Sequence, residues 1–243
     1  MPPLRYLSGV STMRRAVALY TGGKDSHYAI IKALEKGIMT TCLIVVRAGR
    51  EDSWMFHTVN IDRAVLHAKL MGVPYVTVQV SGAKEIEVEE LKHALRTQAI
   101  TCTDEVEYLV TGAVASKYQK ERVDILAEEL GLRHYAPLWG ADQGKLFLEE
   151  ASALGFLITA VQAYGLSSEL LGRLITPSFA VKLLSRFKQY SISPVGEGGE
   201  FETFVISSPL FRGRSMAVRK ASMTWNPNTF TGYYVIEDVG ILP

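Results

Sequence analysis

One short segment constrains this chain more than any other: Thr21-Gly22-Gly23-Lys24-Asp25-Ser26, set between an apolar run and a helical one. The run before it, Ala16-Val17-Ala18-Leu19-Tyr20, is continuous and apolar, the pattern of a strand buried on both faces of a parallel sheet. The run after it, residues 27–36, carries Tyr28, Ile31 and Leu34 at helical spacing and stops at Gly37. A strand, a Gly-Gly turn and a helix start bring backbone N–H groups and the positive end of a helix dipole to one point. Such a point attracts phosphate. The turn is not a Walker A loop. Reading back from Gly23-Lys24 puts Ala18 where the first glycine belongs, and Asp25 stands where the magnesium-binding hydroxyl belongs.

Alternation continues along the chain to about residue 165. Strands are expected at 40–46, 75–80, 108–111, 134–138 and 156–161, with helices at 59–70, 86–98, 118–130 and 143–153. Gly37, Gly72 and Gly131 each closely follow a helical run, where a left-handed C′ glycine is favoured. Short connections between alternating elements imply an α/β fold with a mainly parallel, doubly wound sheet. Ligands of such sheets lie at the carboxyl ends of the strands, where Thr21–Ser26 falls. After residue 165 the texture changes to helices at 168–174 and 179–190, then a β-rich stretch with a turn at Asn226-Pro227-Asn228 before a strand at 233–236. The expected division is a nucleotide-binding domain over 1–135 and a smaller C-terminal α+β substrate-binding region over 136–243.

At 243 residues, 48% of them hydrophobic, the chain can bury a full core. No apolar run reaches the roughly 18 residues that span a bilayer, so no membrane role is expected. The first thirteen residues lack the long apolar stretch of a secretory signal. Cys42 and Cys102 are too few for a disulfide framework or a zinc site, and read as small buried hydrophobes of a cytoplasmic protein. A net charge of +1 argues against a broad nucleic-acid footprint.

A second segment, Gly196-Glu197-Gly198-Gly199-Glu200-Phe201-Glu202-Thr203-Phe204, places three acids beside two adjacent glycines. Glu200 and Glu202, two apart, share one face of an extended strand, and Gly198-Gly199 permits close backbone approach or a positive φ. A cation site is one reading, for magnesium, ammonium or a positively charged substrate group; a solvated acidic turn is the other. Tyr118, Gln119 and Arg122 stand at a helix start, with Tyr118 and Arg122 on one face, where a surface stripe is the alternative. His57 reads equally as a ligand contact or as a hydrogen-bonded structural histidine.

Taken together these motifs resemble a known family. Thr21–Ser26 is similar to the PP-loop of ATP pyrophosphatases, with threonine replacing the usual serine. With the Gly-Glu-Gly-Gly-Glu-Phe-Glu-Thr-Phe block downstream it resembles the diphthine–ammonia ligase, or diphthamide synthetase, family. Ser53-Trp54-Met55-Phe56-His57-Thr58 fits that family's Ser-x-Met-aromatic-His/Gln-Thr block. Gly112 to Val123, with Tyr118-Gln119 and Arg122, followed by Pro137-Leu138-Trp139, resembles its Tyr-Gln-x-x-Arg and Leu-Trp segments. The likeness covers about residues 15–212. Lys117 stands where relatives often carry an acid, which leaves the local substrate contact open.

The resemblance implies a PP-loop, adenine nucleotide alpha hydrolase-like fold and an AMP-forming ligase. It would amidate the diphthine carboxylate of elongation factor 2 with ammonium and ATP, through an acyl-adenylate. It implies that Thr21, Gly22, Gly23, Lys24, Asp25 and Ser26 bind ATP, with Lys24 and Asp25 catalytic and Asp25 holding Mg2+. His57, Tyr118, Gln119, Arg122, Glu197, Gly198, Gly199, Glu200 and Glu202 would bind substrate. Homo-oligomerisation is left open. Other readings are a PP-loop ligase for another carboxylate or for tRNA, and a nucleotide-binding regulatory module without catalysis. Sulfur transfer to tRNA normally recruits paired cysteines, and a tRNA substrate favours a larger basic excess; this chain has neither. No glutaminase nucleophile arrangement is visible, which favours free ammonium as the nitrogen source.

Overall fold

Two sheets, one parallel and one antiparallel, share a single core in the computed structural model, which describes residues 13–49, 59–83, 86–97 and 105–243. The parallel sheet contains β1 (Arg14–Leu19), β2 (Ile38–Ala48), β3 (Tyr75–Val80), β4 (Tyr108–Val110) and β5 (Arg133–Tyr135), in the order β3-β2-β1-β4-β5. Helices α1 (Lys24–Glu35), α2 (Val65–Met71), α3 (Ile86–Thr97) and α4 (Lys117–Glu129) connect the strands. The chain winds outward from β1 to β3, then returns to β4 on the other side of β1. The carboxyl ends of β1 and β4 therefore flank a topological switch point, where α/β sheets bind ligands.

The apolar continuity of β1 has a direct cause. Val17 packs with Cys42, Ile44, Leu91, Leu109 and Leu126 on one face. Ala16 and Ala18 point into the other, among Leu43, Val45, Ala29 and Phe156. Small residues on that second face let α1 and the second sheet approach closely, and each fully buried Leu or Ile there contributes about 1.5–3 kcal/mol. Cys42 is fully buried, as expected of a small hydrophobe, but it is disulfide-bonded rather than a thiol. Cys102 lies outside the described residues.

The second sheet comprises β6 (Gly155–Gln162), β7 (Leu174–Ile175), β8 (Phe201–Ser207), β9 (Ser215–Asn226) and β10 (Thr231–Leu242), ordered β10-β9-β8-β6-β7. Its pairings are antiparallel, and β6 also pairs with β10 through Ala160–Gln162, so the sheet curls back on itself. Helices α5 (Gln143–Ala153) and α6 (Pro177–Tyr190) pack beside it, capped by Asp142 accepting from Lys145 N at 2.8 Å and by Thr176 ahead of Pro177.

Three expectations change. The run 156–161 is indeed a strand, but it belongs to the antiparallel sheet, because its partners β8 and β10 come later in the chain. Residues 168–174 form only a 3-10 turn (Ser168–Leu170) before β7: Gly172 adopts φ +71°, and the Tyr234 ring occupies the space a side chain would need there. The helix expected over 59–70 is split into a 3-10 turn (Ile61–Arg63) and α2. Asn60, with φ 60°, spends both side-chain polar groups on β10, donating to Tyr234 O at 2.9 Å and accepting from Ile236 N at 2.7 Å. Among the described residues no helix is long and apolar enough to cross a membrane.

Candidate functional site

At the switch point lies a cleft of about 650 Å³. One wall is the loop after β1. Gly22 takes φ +83°, and its carbonyl accepts from Val205 N at 3.0 Å, tying the loop to β8. Thr21 and Ser26 staple the turn: their hydroxyls lie 3.0 Å apart, Gly23 N donates to Thr21 Oγ1 at 3.2 Å, and Ser26 Oγ donates to Gly23 O at 3.1 Å. Lys24 N donates to Thr203 Oγ1 at 3.1 Å. The N–H groups of Gly23 and Lys24 are thus already engaged. Asp25 and Ser26, in the first turn of α1, have no intrahelical carbonyl to meet, and both line the cleft. The helix begins at Lys24, three residues before its apolar periodicity does.

Lys24 does not line the cleft. Its side chain is fully buried and runs into the protein, with Nζ 2.6 Å from Asp25 Oδ1, 3.2 Å from Glu150 Oε2 on α5, and 3.1 Å from the Val195 carbonyl. Burial alone would lower the lysine pKa, but the charges of Asp25 and Glu150 outweigh it and raise it above the usual range. Glu150, fully buried, is pushed well above the usual carboxylate range by burial and by the charge of Asp25, with Lys24 opposing. The arrangement is a cation held against Asp25, with Glu150 driven toward its neutral form. Asp25 remains partly exposed to the cleft, so Lys24 acts on the site through it.

The second wall is the segment joining β4 to α4. Thr111 to Val114, Ser116, Tyr118 and Gln119 all line it. Ser116 caps α4 by accepting from Gln119 N, which fixes the helix start beside the cleft. Arg122 lies behind Tyr118, its guanidinium 3.4 Å from the ring centroid and its Nη1 donating to Tyr118 O at 3.4 Å. Gly112 is where this wall meets the first. A Cβ there would lie 2.5 Å from Ser26 N, so only glycine allows the approach.

The third wall is the acidic segment. Glu197, Gly198, Gly199, Glu202 and Thr203 line the cleft; Glu200 does not. Glu197 reaches across and accepts from Val114 N at 3.0 Å and Ala115 N at 2.8 Å. Glu200 turns back on its own loop, accepting from Ser193 N at 3.1 Å and Gly198 N at 2.9 Å, which shapes the turn in which Gly199 takes φ +81°. Glu200 and Glu202 therefore part company despite their shared parity in sequence. His57 and the rest of Ser53–Thr58 lie outside the described residues.

Beneath the loop sits a buried polar cluster with no counterpart in the motifs. Tyr20 Oη lies 2.6 Å from Nδ1 of both His27 and His67, and His27 Nε2 lies 2.6 Å from Ser208 Oγ. Tyrosine has one proton, so it donates to one histidine and accepts from the other. Burial holds both histidines neutral, lowering His67 to about 3 and His27 well below the usual range. Glu150 was equally missed in the sequence. Its signal was available, a charge on the helix face that carries Leu146, Phe147 and Ala151.

For a metal, the fit is narrow. Among the described residues no group of three or more His, Cys, Asp or Glu could hold an ion. Asp25 is the carboxylate beside the loop, which suits Mg2+ only as one ligand among phosphate oxygens and waters.

Comparison with known proteins assigns the chain to a family. Residues 13–134 match the diphthamide synthase N-terminal domain, and residues 142–241 match the diphthamide synthase C-terminal domain. The diphthine–ammonia ligase of Rattus norvegicus is 30% identical over 94% of this chain and 95% of its own length. That of Homo sapiens is 31% identical over 82% of this chain and 80% of its own. That of Schizosaccharomyces pombe is 30% identical over 85% of this chain, which spans only 36% of that longer protein. A crystal structure of a predicted subunit of tRNA methyltransferase from Methanocaldococcus jannaschii superposes with a TM-score of 0.41 at 16% identity, covering 80% of this chain and 97% of that one, too loosely to bear on the site. Two family domains in order over nearly all the described residues, and full-length relatives of similar size, place the chain: it belongs to the diphthamide synthase family.

Proposed function

We propose that this chain is an ATP-dependent carboxylate–ammonia ligase that converts the diphthine carboxylate of elongation factor 2 to its amide, releasing AMP and pyrophosphate. The observation that carries the reading is the convergence of phosphate loop, Tyr118-Gln119 segment and acidic segment on one cleft. A carboxylate resists ammonia until one oxygen becomes a good leaving group. Transfer of AMP to that oxygen provides it; ammonia then attacks the carbonyl carbon, a proton is lost from nitrogen, and AMP departs. The chain's contribution is positioning and charge neutralisation. The N–H groups of Asp25 and Ser26 and the dipole of α1 receive phosphate oxygens, with Thr21, Gly22 and Gly23 setting the curvature. Asp25 is the residue that would hold Mg2+, which when bound neutralises phosphate charge. Lys24 keeps Asp25 in place. Tyr118 and Gln119 offer a ring and an amide to the nucleotide or acceptor, with Arg122 stacked behind.

Glu202, supported by Glu197, gives the acceptor side a negative wall. Diphthine carries a quaternary ammonium group, which carboxylates attract without hydrogen-bonding it. Glu200 and Gly198-Gly199 keep that wall in shape. ATP and elongation factor 2 as substrates place the reaction in the cytoplasm. The test is incubation of the protein with ATP, ammonium and diphthine-bearing elongation factor 2. AMP, pyrophosphate and the amidated factor are expected; ADP and phosphate as the main products would sink the reading.

A further inference from the structure

Behind the second wall, three side chains form a hydrogen-bonded line that ends in the cleft. His134 on β5 is almost wholly buried; its Nδ1 lies 2.6 Å from Asp124 Oδ1 on α4, and its Nε2 lies 2.7 Å from Thr111 Oγ1. Lys120 Nζ donates to the other oxygen, Asp124 Oδ2, at 2.6 Å. Proton positions follow from the partners. Burial is the largest single influence on Asp124 and would raise it, but the hydrogen bonds and charges of Lys120 and His134 together outweigh burial and hold it below the usual carboxylate range, so it is an ionised acceptor. Nδ1 of His134 therefore carries the ring proton, and Nε2 offers a bare lone pair. Thr111 Oγ1 must spend its only proton on Nε2. What remains for the cleft, which Thr111 lines, is a pair of oxygen lone pairs.

We propose that Thr111 is a fixed hydrogen-bond acceptor that seats the ammonium nitrogen in the cleft, with His134 and Asp124 as the positioning residues that set its polarity. This rests on the amidation reading above. Phosphate and carboxylate oxygens have no proton to give Thr111, so its partner among the reactants must be an N–H or O–H donor. Its place selects which one. The adjoining Gly112 touches the start of α1 at Asp25 and Ser26, so Thr111 stands at the phosphate end of the cleft. The adenine amino group lies at the opposite end of a nucleotide from its phosphates. The donor that must arrive at the phosphate end is the nitrogen that attacks the adenylated carbonyl.

The experiment measures steady-state KM for ammonium and for ATP separately, in the full-length protein. Thr111→Val keeps the shape and removes the lone pairs. It is expected to raise the ammonium KM by about 10-fold to 100-fold, the loss of one hydrogen bond from a charged donor, with the ATP KM changing less than about 2-fold. Thr111→Ser restores the ammonium KM. Asp124→Asn is a surface-accessible change that inverts the line. Lys120 keeps the amide oxygen, the amide NH2 faces His134 Nδ1, the ring proton moves to Nε2, and Thr111 turns its own proton into the cleft. The ammonium KM should rise as in Thr111→Val, and nitrogen-15 shifts of His134 should report the change of tautomer. Equal rises in both KM values, an unchanged ammonium KM in an active Thr111→Val protein, or an Nε2-protonated His134 in the wild type would each overturn the inference alone. A wild-type protein without ammonium-dependent AMP release would overturn the amidation reading itself, and this inference with it.

Discussion

Lys24 is a cation without water around it. Its neighbours are Asp25, Glu150 and a carbonyl, and none of them can be lost on equal terms. Removing the positive charge leaves Asp25 without its ion partner at the head of α1 and takes the donor from the buried Glu150 and the Val195 carbonyl, and a buried polar group left unsatisfied costs about 1–3 kcal/mol. Lys24→Met should therefore lower the urea midpoint sharply and also weaken nucleotide binding. Glu150→Gln should behave differently, because burial and Asp25 already drive Glu150 toward its neutral form, which glutamine copies in shape. A stability change below about 1 kcal/mol is expected, measured by the same denaturation. Equal losses in the two variants would mean that Glu150 is charged.

At the scale of elements, the crossing of the β4–α4 segment over the start of α1 sets the width of the cleft. Gly112→Ala pushes a methyl group against backbone rather than against a side chain that could swing away. Overpacking of this kind costs about 1–3 kcal/mol, and here the displaced atoms belong to Asp25 and Ser26, whose N–H groups are proposed to bind phosphate. Calorimetric titration with ATP should show weakened binding even at temperatures where the variant is folded; normal affinity would mean that the loop tolerates the shift. The elements themselves were unevenly legible in the sequence. β1, β3, α3 and α5 follow from their apolar pattern, since that signal is local. The role of β6 does not, because an apolar run reads the same in either kind of sheet and its partners β8 and β10 are distant in sequence. Thr21–Ser26 was legible as one contiguous turn. Thr111, Asp124 and His134 were not, being brought together by strand pairing and a helix rather than by spacing.

Across the whole molecule, the cluster of Tyr20, His27, His67 and Ser208 joins the parallel sheet to the segment after β8, with the Phe204 and Phe211 rings 4.6 and 5.2 Å from His67. It also links folding to pH. His67 has an ordinary value of 6.5 unfolded and about 3 folded, so between these values the unfolded chain takes up a proton that the folded one refuses. The stability is fully present above pH 6.5 and is lost as pH falls toward 3, at about 1.4 kcal/mol per pH unit for this group. His27, lowered for the same reason of burial, adds in the same direction. Urea titrations at pH 7 and pH 5 should show the loss, and His67→Gln should flatten the slope by about one proton. A slope unchanged by the substitution would exclude His67 as its source.

The phosphate loop is framed from far away in the chain. Its Gly22 carbonyl, Lys24 amide and Lys24 ammonium are held by Val205, Thr203 and Val195, the last of these 171 residues downstream. A ribosome delivers the loop early and its frame late. Until the last quarter of the chain has emerged, the loop has its sequence but not its shape, and closing so long a span costs entropy that only the completed sheet repays. Nucleotide competence thus arrives with the acidic wall rather than before it. A chain cut short in synthesis would display the motif yet leave ATP alone, which spares the cell a phosphate loop that works without an acceptor site.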